Sequence, residues 1–158
     1  MIVWMEKALA LAIHDRQLAE HGGSAGVRDA GLLESALARA QQLHAYGDPA
    51  PDLADLAAAL AYGLARNHPF VDGNKRTAAV CCESFIELNG ATLEADDVDL
   101  FGQYLSLAEG KLAERDFAAW LRERLQLAPR GEAHEPRKPY RAKPRGARRT
   151  SARARPAR

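Results

Sequence analysis

The chain is predicted to fold as an all-α bundle of about six helices. Three observations predict it. Apolar residues recur at helical spacing along most of residues 1–128. Clusters of Gly, Pro and Asn interrupt that pattern at intervals. Aspartates stand where several of the resumed patterns begin, as helix caps do. A length of 158 residues argues for one domain and is enough to bury a core without disulfide or metal staples.

Ile2-Val3-Trp4 is an apolar lead-in that reads as a strand stub. From Glu6, the positions Ala8, Leu9, Ala12, Ile13 and Leu18 form a helical stripe, which ends near His21 because Gly22-Gly23-Ser24-Ala25-Gly26 is a breaker cluster. Asp29 caps the second helix, with Leu32, Leu33, Ala36 and Leu37 as its buried stripe. Gly47, Pro49 and Pro51 mark a loop. Asp52, with Asp55 three residues on, caps a third helix that carries Leu56, Ala59, Leu60, Gly63 and Leu64. That helix is apolar over much of its surface, so it is predicted to be central. It stops at Asn67, because His68 precedes a proline and is biased away from helical backbone angles. A fourth helix starts near Asn74. Thr77, Val80, Cys81, Ser84, Phe85 and Leu88 make one face, and Ala78, Cys82 and Ile86 extend it, leaving a narrow solvated strip at Glu83 and Glu87. Asn89-Gly90 is its stop signal. Asp96 caps a fifth helix through Val98, Leu100, Phe101, Tyr104 and Leu105 to Gly110, and the sixth holds Phe117, Trp120, Leu121 and Leu125.

From Pro129 the apolar pattern disappears. Residues 129–158 are rich in Pro, Arg and Ala, hold one aromatic (Tyr140), and cannot bury enough surface to offset the entropy of ordering. They are predicted to be a disordered tail behind a domain over residues 1–128. The formal charge of +1 hides a segregation. Residues 1–128 carry 11 Lys+Arg against 19 Asp+Glu, a net −8, and residues 129–158 carry 11 against 2, a net +9. Such a tail suits weak contact with nucleic acid or a ribosome, or is a solvated extension with no role.

Cys81 and Cys82 are the two cysteines. Helical neighbours point about 100° apart, so they cannot readily bridge each other and read as small buried hydrophobes rather than a redox pair or metal site. Neither a signal segment nor an apolar run near 18 residues is present, which predicts a cytoplasmic protein without a membrane partner.

The chemistry is concentrated in His68-Pro69-Phe70-Val71-Asp72-Gly73-Asn74-Lys75-Arg76, between the two most apolar helices. A helix N-terminus directs unpaired N–H groups at an anion. Gly73 lets the backbone approach a ligand. The Asn74 amide can donate, Lys75 and Arg76 add charge, and arginine adds a forked donor. Asp72 can hold a magnesium ion riding on phosphates, and His68 can take a proton from a hydroxyl near neutral pH. Each residue alone has a plainer explanation as a loop, a turn or a solvated charge. Two adjacent cations at the positive end of a buried helix are nonetheless locally unfavourable, and an anionic ligand reverses that. Phe70 reads as a core anchor. Thr77 reads as a cap, a phosphate contact or a structural helix residue. His14, His21, His44 and His134 show no metal-ligand spacing.

The run HPFVDGNKR resembles the signature of the Fic/Doc (Fido) superfamily, H-P-F-x-[D/E]-G-N-[G/K]-R. The flanking residues His14-Asp15, Gly22-Gly23, Gly26-Val27-Arg28-Asp29 and Gly31-Leu32-Leu33-Glu34 are similar to the death-on-curing (Doc) branch, so residues 1–128 resemble a Doc-type Fido domain. The resemblance implies an enzyme that uses ATP and magnesium. Most Fic proteins transfer AMP; their motif has Gly at the place of Lys75 and a second Arg at the place of Ala79. Lys75 and Ala79 are Doc-like departures, which implies transfer of the γ-phosphate to a Thr or Ser hydroxyl. By the same resemblance His68 would be the general base, and Asp72 would coordinate Mg2+ or orient the hydroxyl. Gly73 and Asn74 would form the anion cradle with the helix N-terminus, and Lys75 and Arg76 would hold the phosphates and balance charge during transfer. It further implies the toxin of a toxin–antitoxin pair, with elongation factor Tu as target, arrested translation as outcome, and a Phd-type antitoxin as partner. The self-inhibitory pattern [S/T]-x-x-x-E-[G/N] of some Fic proteins has no match, since Leu105 precedes Glu109-Gly110. A Fic-type AMP transferase and a non-catalytic antitoxin-binding corepressor are the alternatives.

Overall fold

A computed structural model describes residues 1–128, and the tail expected over 129–158 lies outside the described residues. Six helices are present: α1 (Lys7–His21), α2 (Ala30–Tyr46), α3 (Leu53–Asn67), α4 (Asn74–Leu88), α5 (Asp97–Ala108) and α6 (Glu114–Arg124). Helix α3 is the hub, packed against α2, α4, α5 and α6, while α1 lies on α4. Ten of the fifteen α3 residues are buried, six of them alanines, and such small side chains let neighbouring helices close in on every side. The largest wholly buried side chains include Leu60 and Leu64 of α3 itself and Phe70, Phe85, Phe117 and Leu33 from outside it.

The caps follow the sequence. The Asp29 carboxylate accepts from Leu32 N, and Asp52 and Asp55 form a reciprocal capping box with bonds of 2.9 and 3.0 Å. Asp96 occupies the N-cap position of α5, but its side chain makes no capping bond. Helix α4 ends at Asn89, and Gly90 takes a left-handed conformation (φ 81°) just beyond it. Cys81 and Cys82 are buried free thiols. Burial pushes both upward, Cys82 to about 12, so neither is a thiolate near neutral pH. Among the described residues no helix is long and apolar enough to cross a membrane.

Several expectations are corrected, among them Leu125, which opens a strand instead of extending the sixth helix. Residues 2–4 are not a strand. They are extended and held by the Asn89 side chain, whose Oδ1 accepts from Val3 N at 2.8 Å while its Nδ2 donates to Val3 O at 2.9 Å. Two three-residue strands, β1 (Ala91–Leu93) and β2 (Leu125–Leu127), pair antiparallel with Thr92 opposite Gln126. They leave no signal in the sequence because three residues are too few to show alternation and all of β1 is buried. Val98 and Phe101 are exposed on α5 at 76% and 53%, so its buried stripe is instead Leu100, Tyr104, Leu107 and Ala108. Leu88 is likewise largely exposed, at the end of α4.

Candidate phosphate-handling site

Residues 68–73 leave the C-terminus of α3 and enter the N-terminus of α4, so the motif joins the two most buried helices. Phe70 anchors it. The ring is 1% exposed and stacks on His14 of α1, with centroids 3.8 Å apart and planes 9° from parallel. The buried His14 imidazole also makes a 2.8 Å hydrogen bond to Asp72 O. A carbonyl can only accept, so Nε2 carries the proton in this contact. His14 therefore holds the loop at two points. Metal-ligand spacing gives no sign of this role, because His14 acts on a main-chain oxygen across 58 residues of separation.

The segment before α2 binds the other side of the loop. Val27 and Phe70 form an antiparallel bridge, Val71 N donates to Gly26 O at 3.0 Å, and Arg28 N and Asp29 N both donate to Pro69 O. Ser24 N donates to Asp72 Oδ2 at 3.2 Å. Gly23 lies so close that a Cβ there would stand 2.7 Å from Asp72 Oδ2, at a φ of +125°.

The motif residues are placed as follows. His68 is exposed and left-handed (φ 47°, ψ 55°), where the following proline had predicted an extended conformation. The Arg28 guanidinium donates to both Asn67 O and His68 O at 2.7 Å, on either side of this backbone unit. Asp72 is exposed. The N–H groups of Gly73 and Ser24, with smaller contributions from the nearby Arg76 and His14, hold its carboxyl below the usual carboxylate value. It is thus an ionised carboxylate at neutral pH. Gly73 is the N-cap of α4 in a left-handed conformation (φ 76°), and the first main-chain bond of the turn is Thr77 N to Gly73 O at 3.0 Å. The N–H groups of Asn74, Lys75 and Arg76, before Thr77, have no intrahelical acceptor, as at any helix N-terminus that can receive an anion.

Asn74 differs from the expectation for its side chain. Its Oδ1 accepts from Phe70 N and its Nδ2 donates to Phe70 O, both at 2.9 Å. The amide closes the loop on itself, so Asn74 adds its main-chain N–H to the helix end rather than a free amide. Lys75 is exposed and Arg76 half-buried, and both line a cavity of about 30 Å³ with Ala79, Glu83, Leu100, Phe101, Tyr104 and Leu105. That space holds little more than a water or two. His68 and Asp72 do not line it. Thr77 is wholly buried and its Oγ1 has no hydrogen-bond partner among the described residues, so the hydroxyl caps nothing here.

No group of three or more His, Cys, Asp or Glu side chains that could hold a metal ion is found among the described residues. Asp72 alone fits a different donor set, that of magnesium bound mainly by phosphates and water with one protein carboxylate. The arrangement as a whole is an imidazole, an ionised carboxylate, a helix N-terminus and two cations along one nine-residue stretch, stapled from three sides.

A family model described as the Fic/DOC family matches residues 4–86. Toxin Doc of Mycolicibacterium smegmatis is 55% identical over 80 residues, which are 49% of this chain and 61% of that protein. Protein kinase doc of Escherichia phage P1 is 32% identical over 112 residues, covering 71% of this chain and 87% of that protein. The chain thus spans less than two thirds of the first relative and most of the second.

Proposed function

Since the chain belongs to the Fic/DOC family, we propose that it is a Doc-type toxin that transfers the γ-phosphate of ATP to a Ser or Thr hydroxyl of a translation factor. The observation that carries the proposal is the N-terminal turn of α4. There, unpaired main-chain donors follow the ionised Asp72 and a left-handed Gly73, Arg76 is close enough to help hold the Asp72 carboxyl low, and Lys75 adds a second cation to the same turn. A triphosphate would reverse the local repulsion between two cations and the positive helix end.

The roles follow from chemistry. His68, exposed at the mouth of the loop, would take the proton of the attacking hydroxyl. Lys75, Arg76 and the main-chain N–H groups of Asn74 and its neighbours would hold the phosphates. Asp72 would hold Mg2+, which when bound neutralises phosphate charge, or would orient the hydroxyl. Asn74, tied to Phe70, would preserve the shape of the cradle.

Two observations favour γ-phosphate over AMP transfer. Position 79, where AMP-transferring relatives carry a second arginine by the resemblance above, is an alanine only 5% exposed, walled in by Leu100 and Tyr104. The P1 relative is also named a protein kinase. Elongation factor Tu as target, and a Phd-type antitoxin as the inhibitor supplied by another chain, complete the proposal.

The test is incubation with Mg2+, elongation factor Tu or a cell lysate, and ATP labelled separately at the α- and γ-phosphates. Label from the γ-position alone is expected. Label from the α-position would establish AMP transfer and overturn the reading of Lys75 and Ala79. His68→Ala is expected to lower transfer by ~10²–10⁴-fold, the usual worth of a general base, with ATP affinity kept.

A further inference from the structure

Arg28 takes the carbonyl oxygens of three successive residues. Its Nη2 donates to Asn67 O, its Nε to His68 O and its own main-chain N to Pro69 O, each at 2.7 Å. The three acceptors are the last residue of α3, the candidate base and the proline of the motif. We propose that Arg28 is the positioning residue of the site: its guanidinium fork on Asn67 and His68 locks the His68 backbone in the left-handed conformation, and so fixes where the imidazole projects. The proposal rests on the reading of His68 as the base.

Three observations lead to it. His68 is the one non-glycine residue with positive φ among those described. An L-residue rarely adopts that conformation unless its surroundings over-determine it, and the following proline ring makes no provision for it. Something must therefore hold it, and the two side-chain bonds of Arg28 are the contacts on its carbonyl and on the one before. Second, these carbonyls close α3, where the helix dipole is negative and a cation is favoured. The Asn67 side chain, by contrast, is turned away to Leu32 O at 3.0 Å. Third, Arg28 is exposed and its side chain belongs to no part of the core, so removing it takes little from packing. The fork geometry is specific to arginine. A lysine keeps the charge but offers a single donor centre that cannot span two successive carbonyls in the same way.

The experiment compares the full-length wild type with Arg28→Ala, Arg28→Lys and His68→Ala. Transfer of the ATP γ-label into lysate protein is followed over a range of ATP concentrations, together with thermal melts and the NMR resonances of the His68 Cα and imidazole. For Arg28→Ala, kcat is expected to fall ~10²-fold, the scale of a misplaced catalytic group, while KM for ATP changes less than about three-fold and the melt stays near wild type. The His68 resonances should shift or broaden. Arg28→Lys should recover only part of kcat. Wild-type kcat together with unmoved His68 resonances in Arg28→Ala overturns the proposal. So does a full recovery in Arg28→Lys, which would reduce the residue to a charge. Full activity in His68→Ala defeats the base reading instead. In that case, or if the wild type transfers no label, the His68 resonances alone decide whether Arg28 holds this backbone.

Discussion

His14 and Gly23 show at the scale of single residues how much of the site is built outside its motif. His14 supplies a stacked ring and a hydrogen bond to the loop that carries Asp72. His14→Ala should destabilise the fold by about 2–4 kcal/mol, as truncation of a buried ring does, and His14→Phe should recover most of that loss by restoring the stack. Urea melts of the two variants check this; equal stability would mean that the stack contributes nothing. Gly23 is different, because its lack of a side chain is its contribution. Gly23→Ala would put a methyl 2.7 Å from Asp72 Oδ2 at a backbone angle that alanine resists. It is expected to cost about 1–3 kcal/mol and to weaken transfer by displacing the Asp72 carboxylate. The assay is label transfer at a fixed temperature below the melting point of the variant. The candidate stretch from His68 to Arg76 stood out in the sequence because its residues are contiguous and chemically unusual. The staples were not, because they act through main-chain atoms. His14 reaches Asp72 O, Arg28 reaches Asn67 O and His68 O, and Asn74 turns inward to Phe70. No periodicity or residue-type pattern encodes which carbonyl a distant side chain will find.

At the scale of elements, the six described helices were legible from helical spacing and breakers, with side-chain caps at α2 and α3 only, and α3 showed its central place through its Ala- and Leu-rich surface. On α1 the spacing misassigned the face, since Ala8, Leu9 and Ala12 are exposed and Ala10, His14 and Gln17 are buried. What escaped was short or one-sided. The β1–β2 pair joins residues on either side of α5 and α6, and on α5 the exposed Val98 and Phe101 are as apolar as the buried Leu100. One tertiary contact strengthens the α3 cap. Arg122 of α6 binds Asp52 at 2.6 Å and Asp55 at 2.8 Å, which ties the start of the hub helix to the last helix. The Arg122 guanidinium, followed by the capping bonds from Asp55, holds the Asp52 carboxyl down at about 2, against an ordinary value of 3.8. The folded-state value is the lower one, so the unfolded chain binds the proton first. The stabilisation is therefore fully present above about pH 4 and is lost as pH falls from 3.8 towards 2. The pair is half exposed, so its worth is modest, about 1 kcal/mol or less. Arg122→Ala should lower stability by that amount at pH 6 and by much less at pH 2.5. Melting curves at the two pH values test it, and an equal deficit at both would detach Arg122 from the cap.

The whole molecule is electrostatically divided: residues 1–128 carry a net −8 and residues 129–158 a net +9. An acidic body repels polyanions, so any affinity of the full chain for nucleic acid has to reside in the last thirty residues. Contact of such cations with phosphates is sequence-independent and works by counterion release, so it weakens steeply with salt. If about four of the cations in that stretch meet phosphates of a single strand, affinity should fall ~50-fold between 50 and 200 mM salt. Deleting residues 129–158 should abolish this binding at both salt concentrations. Label transfer by the remaining domain should be unchanged, because every residue assigned to the site lies between His14 and Arg76. Filter binding of a labelled RNA to the full and shortened chains separates the outcomes. Equal RNA binding by the two would place the affinity on the acidic body and leave the charge division without a role in it. Reduced transfer by the shortened chain would instead make residues 129–158 part of how the enzyme meets its target.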